Sequence, residues 1–134
     1  MAVALKISLK PNEKMVLGGA VIKNGTSSSV FFIENNVLVL REKDIITEEQ
    51  VNTPCKRIYF TIQLMYLDEA NLAHYHALYW QQMGELTDTV KSMLHFSIEI
   101  GEHILASEYY KALKVAKKMI AYEKELLNHA SQRD

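Results

Sequence analysis

The chain has 134 residues, 49% of them hydrophobic and 23% charged, and a formal net charge of −1. A protein of this size buries roughly 65% of its unfolded surface, so its core needs neither a metal nor a disulfide staple. The single cysteine, Cys55, excludes an intrachain bridge; the near-neutral balance excludes a bulk polyanion binder; and no apolar run is long enough to span a membrane. With no export-signal pattern at its start, the expectation is a cytoplasmic protein without membrane insertion.

In chain order, Val3, Leu5, Ile7 and Leu9 alternate with Ala4, Lys6 and Ser8, the period of a strand with one wet face. Pro11 and Asn12 predict a turn. "MVLGGAVIK" reads as a second strand with a bulge at Gly18 and Gly19. Asn24 and Gly25 give a hairpin signal, and "SVFFIE" and "VLVLR" follow as strands separated by a tight turn at Asn35 and Asn36. The first 41 residues thus predict a four-stranded antiparallel meander or a small partly open barrel. "TEEQ", Thr47 to Gln50, fits a capping box, and Thr53 with Pro54 marks a stronger helix start. Helices are expected near 54–67, 69–83, 86–105 and 107–129, with Gly84 and Ser107 as breaks and an ill-defined boundary near Leu67.

The fold class is therefore α+β: an N-terminal small antiparallel β-sheet or partly open barrel (1–52), then a C-terminal helical bundle (53–134) packed with it. Leu86, Val90, Met93, Ser97, Ile100 and Ile104 form one amphipathic stripe. Val115, Met119, Tyr122 and Leu126 form another, and Leu113, Ala116, Ile120 and Leu127 a third. Two stripes on one C-terminal helix make a second copy of the chain a candidate partner.

Ionisable residues are plentiful but poorly arranged for chemistry. His95, Glu99 and His103 share a helix face, yet span about two turns, more than one tetrahedral ion bridges. Cys55 follows a helix cap and precedes Lys56 and Arg57, which favours a thiolate, but no histidine lies near it in sequence. No phosphate-cradling glycine loop is present. The expectation is a protein that is no enzyme and holds no metal or cofactor. Two basic clusters remain. Arg41 and Lys43, with Lys56 and Arg57, flank the join between the halves, where Tyr59 and Phe60 offer rings if exposed. Lys111, Lys114 and Lys118 repeat at helical spacing with Lys117 beside them. Each cluster is equally readable as a solvated or internally paired face, and a basic amphipathic helix also suits a membrane surface or a protein partner.

"LKISLKPNEKMVLGGAVIKNG", "LREKDI" and "TPCKRIYFTIQLMYLD", in that order and at these separations, resemble the FlbT family of bacterial flagellum biosynthesis regulators. The likeness is dense over residues 3–70 and extends to about residue 130. It implies a cytoplasmic post-transcriptional regulator that associates with the 5′ untranslated region of flagellin mRNA, influences its translation or decay, and works alongside FlaF proteins. Leu40 to Ile45 and Thr53, Pro54, Arg57, Tyr59 and Phe60 match the family's motifs. Taken with the two basic clusters, this gives a candidate RNA-binding set of Arg41, Lys43, Lys56, Arg57, Lys111, Lys114 and Lys118. A departure falls at Thr26 to Ser29, where family members often place basic residues; hydroxyls hydrogen-bond phosphate but release no counterions. The competing expectation is an adaptor or chaperone-like module that binds flagellin or FlaF through its helices and affects the message only indirectly.

Overall fold

The computed structural model describes residues 4–132; Val3, the first residue of the expected opening strand, lies outside them. The chain falls into two compact units divided between Ile45 and Ile46.

Five strands build the first unit: β1 (Leu5–Leu9), β2 (Lys14–Leu17), β3 (Ala20–Lys23), β4 (Ser29–Ile33) and β5 (Val39–Arg41). They form two small open antiparallel sheets, β1 with β4 and β3-β2-β5. The α+β class stands, but the meander does not. The expected second strand is two, because Gly18 and Gly19 both take positive φ, +56° and +87°. That pair of angles is the requirement of a two-residue primed hairpin turn, so the glycines fold Met15 to Lys23 back on itself. Asn24 and Gly25 close no hairpin, since β3 and β4 lie in different sheets. Nor do Asn35 and Asn36, which link β4 to a strand paired with β2. The Pro11–Asn12 turn is as expected: Glu13 N–H donates to Lys10 C=O at 3.1 Å, with Asn12 at φ +63°. Ile7, Leu9 and Met15 form the buried centre of this unit, flanked by Leu17, Ile22, Phe31, Ile33 and Val39.

The second unit holds α1 (Pro54–Leu67), α2 (Leu72–Thr89), α3 (Leu94–Leu105) and α4 (Tyr109–Gln132), with short 3-10 turns between some of them. Its start is pinned by Gln63, whose buried amide both accepts from Ile46 N–H at 2.8 Å and donates to Ile46 C=O at 3.0 Å. The Thr47 box caps only a 3-10 turn, where Gln50 Oε1 accepts from Thr47 N–H at 2.8 Å. α1 begins as expected, with Thr53 Oγ1 accepting from Lys56 N–H and Pro54 in the first turn. It stops at Asp68, whose carboxylate accepts from Asn71 and from the Tyr75 hydroxyl at 2.6 Å.

Gly84 is no break: α2 runs through it to Thr89. The chain turns instead at Val90, which is extended, and the expected 86–105 helix is the end of α2, a 3-10 turn and α3. Leu86, Met93, Ile100 and Ile104 of its stripe are buried across that turn. Ser107 does end α3. It takes φ +58° while Ser107 N–H donates to Ile104 C=O and Glu108 N–H to His103 C=O, the paired bonds that close a helix C-terminus. On α4 the inner parts of the two stripes merge into one buried face of Leu113, Val115, Ala116 and Met119, which leaves Leu127 exposed.

Candidate functional site

One concave surface of the first unit is a groove of about 430 Å³ lined by Ser8, Lys10, Ser28, Ser29, Arg41 and Lys43, among others, with Leu9 and Val30 adding apolar surface. Strand pairing builds it. Lys10 follows β1, Ser29 opens β4 opposite Leu9, and Arg41 ends β5 opposite Met15. Asn24 holds the serine loop in place by sharing its amide hydrogens among the carbonyls of Leu9, Lys10 and Ser27, while Ser29 donates to its Oδ1 at 2.8 Å.

Arg41 is committed on one side. Its Nη2 donates to Ser8 C=O and to Glu13 Oε2, the latter at 3.3 Å. Lys10 N–H donates to the other Glu13 oxygen at 2.9 Å, and this backbone bond, with the Arg41 guanidinium, holds the Glu13 carboxyl below the ordinary glutamate range. The groove therefore contains one internally matched ion pair, with Lys10 and Lys43 exposed at its margin. Through Ile45 the sequence carries six Lys or Arg against four acids, and from Ile46 onward nine against twelve. A net positive charge thus belongs to the sheet unit and, within the helical unit, to residues 107–134, which carry six Lys or Arg against four acids.

The remaining expected residues lie in the helical unit. Lys56 is half-buried and donates to Asn52 Oδ1 at 3.1 Å, while Arg57 is exposed on the first turn of α1. Tyr59 is core and Phe60 half-buried, so neither offers an open ring face. Lys111, Lys114 and Lys118 share the outer face of α4: Lys111 pairs with Glu108 at 2.9 Å, and the Lys114 ammonium sits 5.0 Å from the Tyr110 ring centre. Sequence reasoning missed Lys10 and treated the serine loop and Arg41 as separate features. The signal that unites them is the nonlocal pairing of β1 with β4 and of β2 with β5.

Cys55 is packed in the core, and its surroundings override the helix start and flanking cations that would favour a thiolate. Burial, followed by the adjacent Glu123 carboxylate, pushes the thiol far above its usual range. Glu123 is itself buried on α4 and accepts from Cys55 N–H at 3.1 Å, completing the cap of α1 from a different helix. His103 bonds Glu108 at 3.2 Å, and the His95 ring packs against Phe96 and Tyr122. Among the described residues no three His, Cys, Asp or Glu side chains are grouped to hold a metal ion, and no helix is long and apolar enough to cross a membrane.

These features describe a small α+β protein with a net cationic excess on its sheet unit and a net acidic excess on its helical one. The chain belongs to the FlbT family: the family model for flagellar protein FlbT matches residues 5–127. It is 44% identical over 129 residues to the flagellum biosynthesis repressor protein FlbT of Caulobacter vibrioides, covering 95% of this chain and 92% of that one. It is 40% identical over 124 residues to a probable flagellum biosynthesis repressor of Rhodopseudomonas palustris, covering 92% of this chain and 98% of the relative. No solved structure matches it. Membership supports a regulatory role in flagellum biosynthesis.

Proposed function

We propose that this protein is a cytoplasmic post-transcriptional regulator of flagellin expression that associates directly with the 5′ untranslated region of flagellin mRNA and alters its translation or decay. The observation that carries the reading is the groove, in which Lys10, Arg41 and Lys43 meet the Ser28 and Ser29 hydroxyls on the unit with the cationic excess. The lysines there supply sequence-independent phosphate affinity, and Arg41 and the hydroxyls supply hydrogen bonds that fix register. Ser28 and Ser29 thus contribute beside the cations and not in place of them. The mode of action is occupancy: a bound leader is withheld from initiation or presented to cellular nucleases, with no bond made or broken by this chain. The names of the relatives favour repression as its sign. The test is fluorescence anisotropy with the protein's own flagellin leader against a scrambled RNA across a salt series. Preferential, salt-sensitive binding is expected; equal or absent binding overturns the reading.

One feature favours a second reading. Leu94, Ile98 and Leu105 lie on one face of α3 at 55%, 56% and 75% exposure, beside the acidic Glu99 and Glu102. An apolar stripe on the anionic unit suits a protein, such as flagellin, a FlaF protein or a second copy of this chain, better than it suits RNA. Such a contact persists in salt that dissolves phosphate contacts, so the same series separates the two readings.

A further inference from the structure

β1 and β4 bury one face of their two-stranded sheet and leave the other open. Ile7 and Leu9 point inward, while Lys6 pairs across the strands with Phe32 and Ser8 with Val30 on the exposed side. Phe32 is 60% exposed and Val30 58%. On a wet sheet face an alternating sequence normally places polar residues, so these two apolar side chains stand where folding does not ask for them.

Cations lie beside this face. Ser8 and Val30 belong both to this face and to the groove that holds Lys10, Arg41 and Lys43, which makes face and groove one continuous surface. Phe32 lies one cross-strand pair further along, about 6.8 Å by strand geometry, with Lys6 opposite. On its other side Phe32 borders an open groove of about 420 Å³ also lined by Leu17, Phe31, Val37 and the acidic Glu34, two residues beyond Phe32 and away from Lys10 and Arg41.

From this juxtaposition we infer that the outer face of β1 and β4 is a base-stacking platform for single-stranded RNA. The Phe32 ring takes the face of an unpaired base, Val30 supports the adjoining sugar or base, and Lys6, Lys10 and Lys43 follow the phosphates. The inference rests on the RNA-binding reading and specifies where and in what form the strand is held. An aromatic ring opposite a lysine, on a face that continues into a groove with further cations, matches a ligand that alternates flat apolar faces with negative charge, and stacking is tolerant of base identity because every base has such a face. A duplex hides those faces and is a poor occupant.

The test uses three fluorescein-labelled probes of equal length: oligouridine, the same backbone with abasic sites, and a duplex. The full-length protein is expected to prefer oligouridine over the abasic strand about tenfold, and over the duplex. Phe32→Leu, at an exposed position, should keep the far-ultraviolet circular dichroism and lose that tenfold preference while retaining the salt dependence. Phe32→Trp should restore the preference, and its added indole emission should be quenched by oligouridine but not by the abasic strand. Binding of oligouridine that is unchanged by Phe32→Leu overturns the platform and leaves the RNA reading intact. No binding of any RNA, including the leader, overturns both. If Phe32→Leu instead abolishes binding of a flagellar polypeptide with RNA affinity unaltered, the face is a protein site and the inference falls.

Discussion

Removing Lys10 and Lys43 together gives the sharpest test of the groove, because the structure fixes how many cations a strand can meet there. Arg41 already engages Glu13, so it adds little net counterion release. The proposed path places Lys6, Lys10 and Lys43 along the strand, or about three phosphate contacts, for a logarithmic salt slope of about −2.1 with a single strand. Between 50 and 200 mM salt, the wild-type affinity should therefore fall about 18-fold. Lys10→Ala/Lys43→Ala leaves roughly one contact, a slope of about −0.7 and a fall of about 2.6-fold over the same range. Anisotropy titrations of a leader RNA at four salt concentrations measure both slopes, with circular dichroism as the check on folding. A double variant that keeps the wild-type slope refutes the reasoning. Should the slope collapse only on replacing Lys111, Lys114 and Lys118, the phosphate contacts belong to α4.

Three further outcomes check the physical account of the helical unit. Glu123→Ala strips the buried acceptor from Cys55 N–H and should cost about 2 kcal/mol in urea unfolding, the penalty for an unsatisfied buried donor. Cys55 itself should resist iodoacetamide in the native state even at pH 9, where an ordinary thiol near 8.5 is largely ionised. Its folded value is raised, so the unfolded thiol releases its proton first; this group's stabilising contribution is complete below about pH 8.5 and declines as pH rises beyond it. Fast native labelling would contradict that sign. Tyr79 is fully buried on α2, and its hydroxyl finds no hydrogen-bond partner among the described residues. Tyr79→Phe should therefore raise stability by about 1 kcal/mol, and a loss of similar size in denaturant unfolding would mean that the hydroxyl is satisfied after all.

What the sequence made legible follows the range of the interactions involved. Local chemistry was readable: Pro11 with Asn12, Thr53 with Pro54 and the left-handed Ser107 each act within a few residues. Gly84 misled because one glycine costs a helix only about 1 kcal/mol relative to alanine, a penalty its flanking turns override. Val90 ended α2 without a glycine or proline to announce it, aided by the Thr87 and Thr89 hydroxyls, which bond back to the Met83 and Glu85 carbonyls. The Gly18–Gly19 hairpin was hidden by apolar residues that run unbroken on both sides of it. Nonlocal pairing left no such marks. No pattern shows that β4 skips its neighbours to join β1, and that one pairing assembles both the groove and the exposed Phe32 face. Likewise Glu123 lies 68 positions from the amide it caps, out of reach of any spacing rule.

The partition of charge bears on how a regulator of this size could serve two partners. The sheet unit has two more cations than acids, whereas the helical unit has three more acids than cations. At physiological ionic strength, where fields decay over about 8 Å, an RNA strand held by the first unit as proposed is attracted only locally. The exposed Leu94, Ile98 and Leu105 stripe belongs to the other unit. Binding of a flagellar protein there and of a leader on the sheet unit would then be compatible, and any coupling between them reciprocal. Two independent sites predict that RNA affinity is the same with and without the protein partner. A shift in one affinity must appear equally in the other, so measuring both directions decides whether the regulator senses its partner or merely carries it.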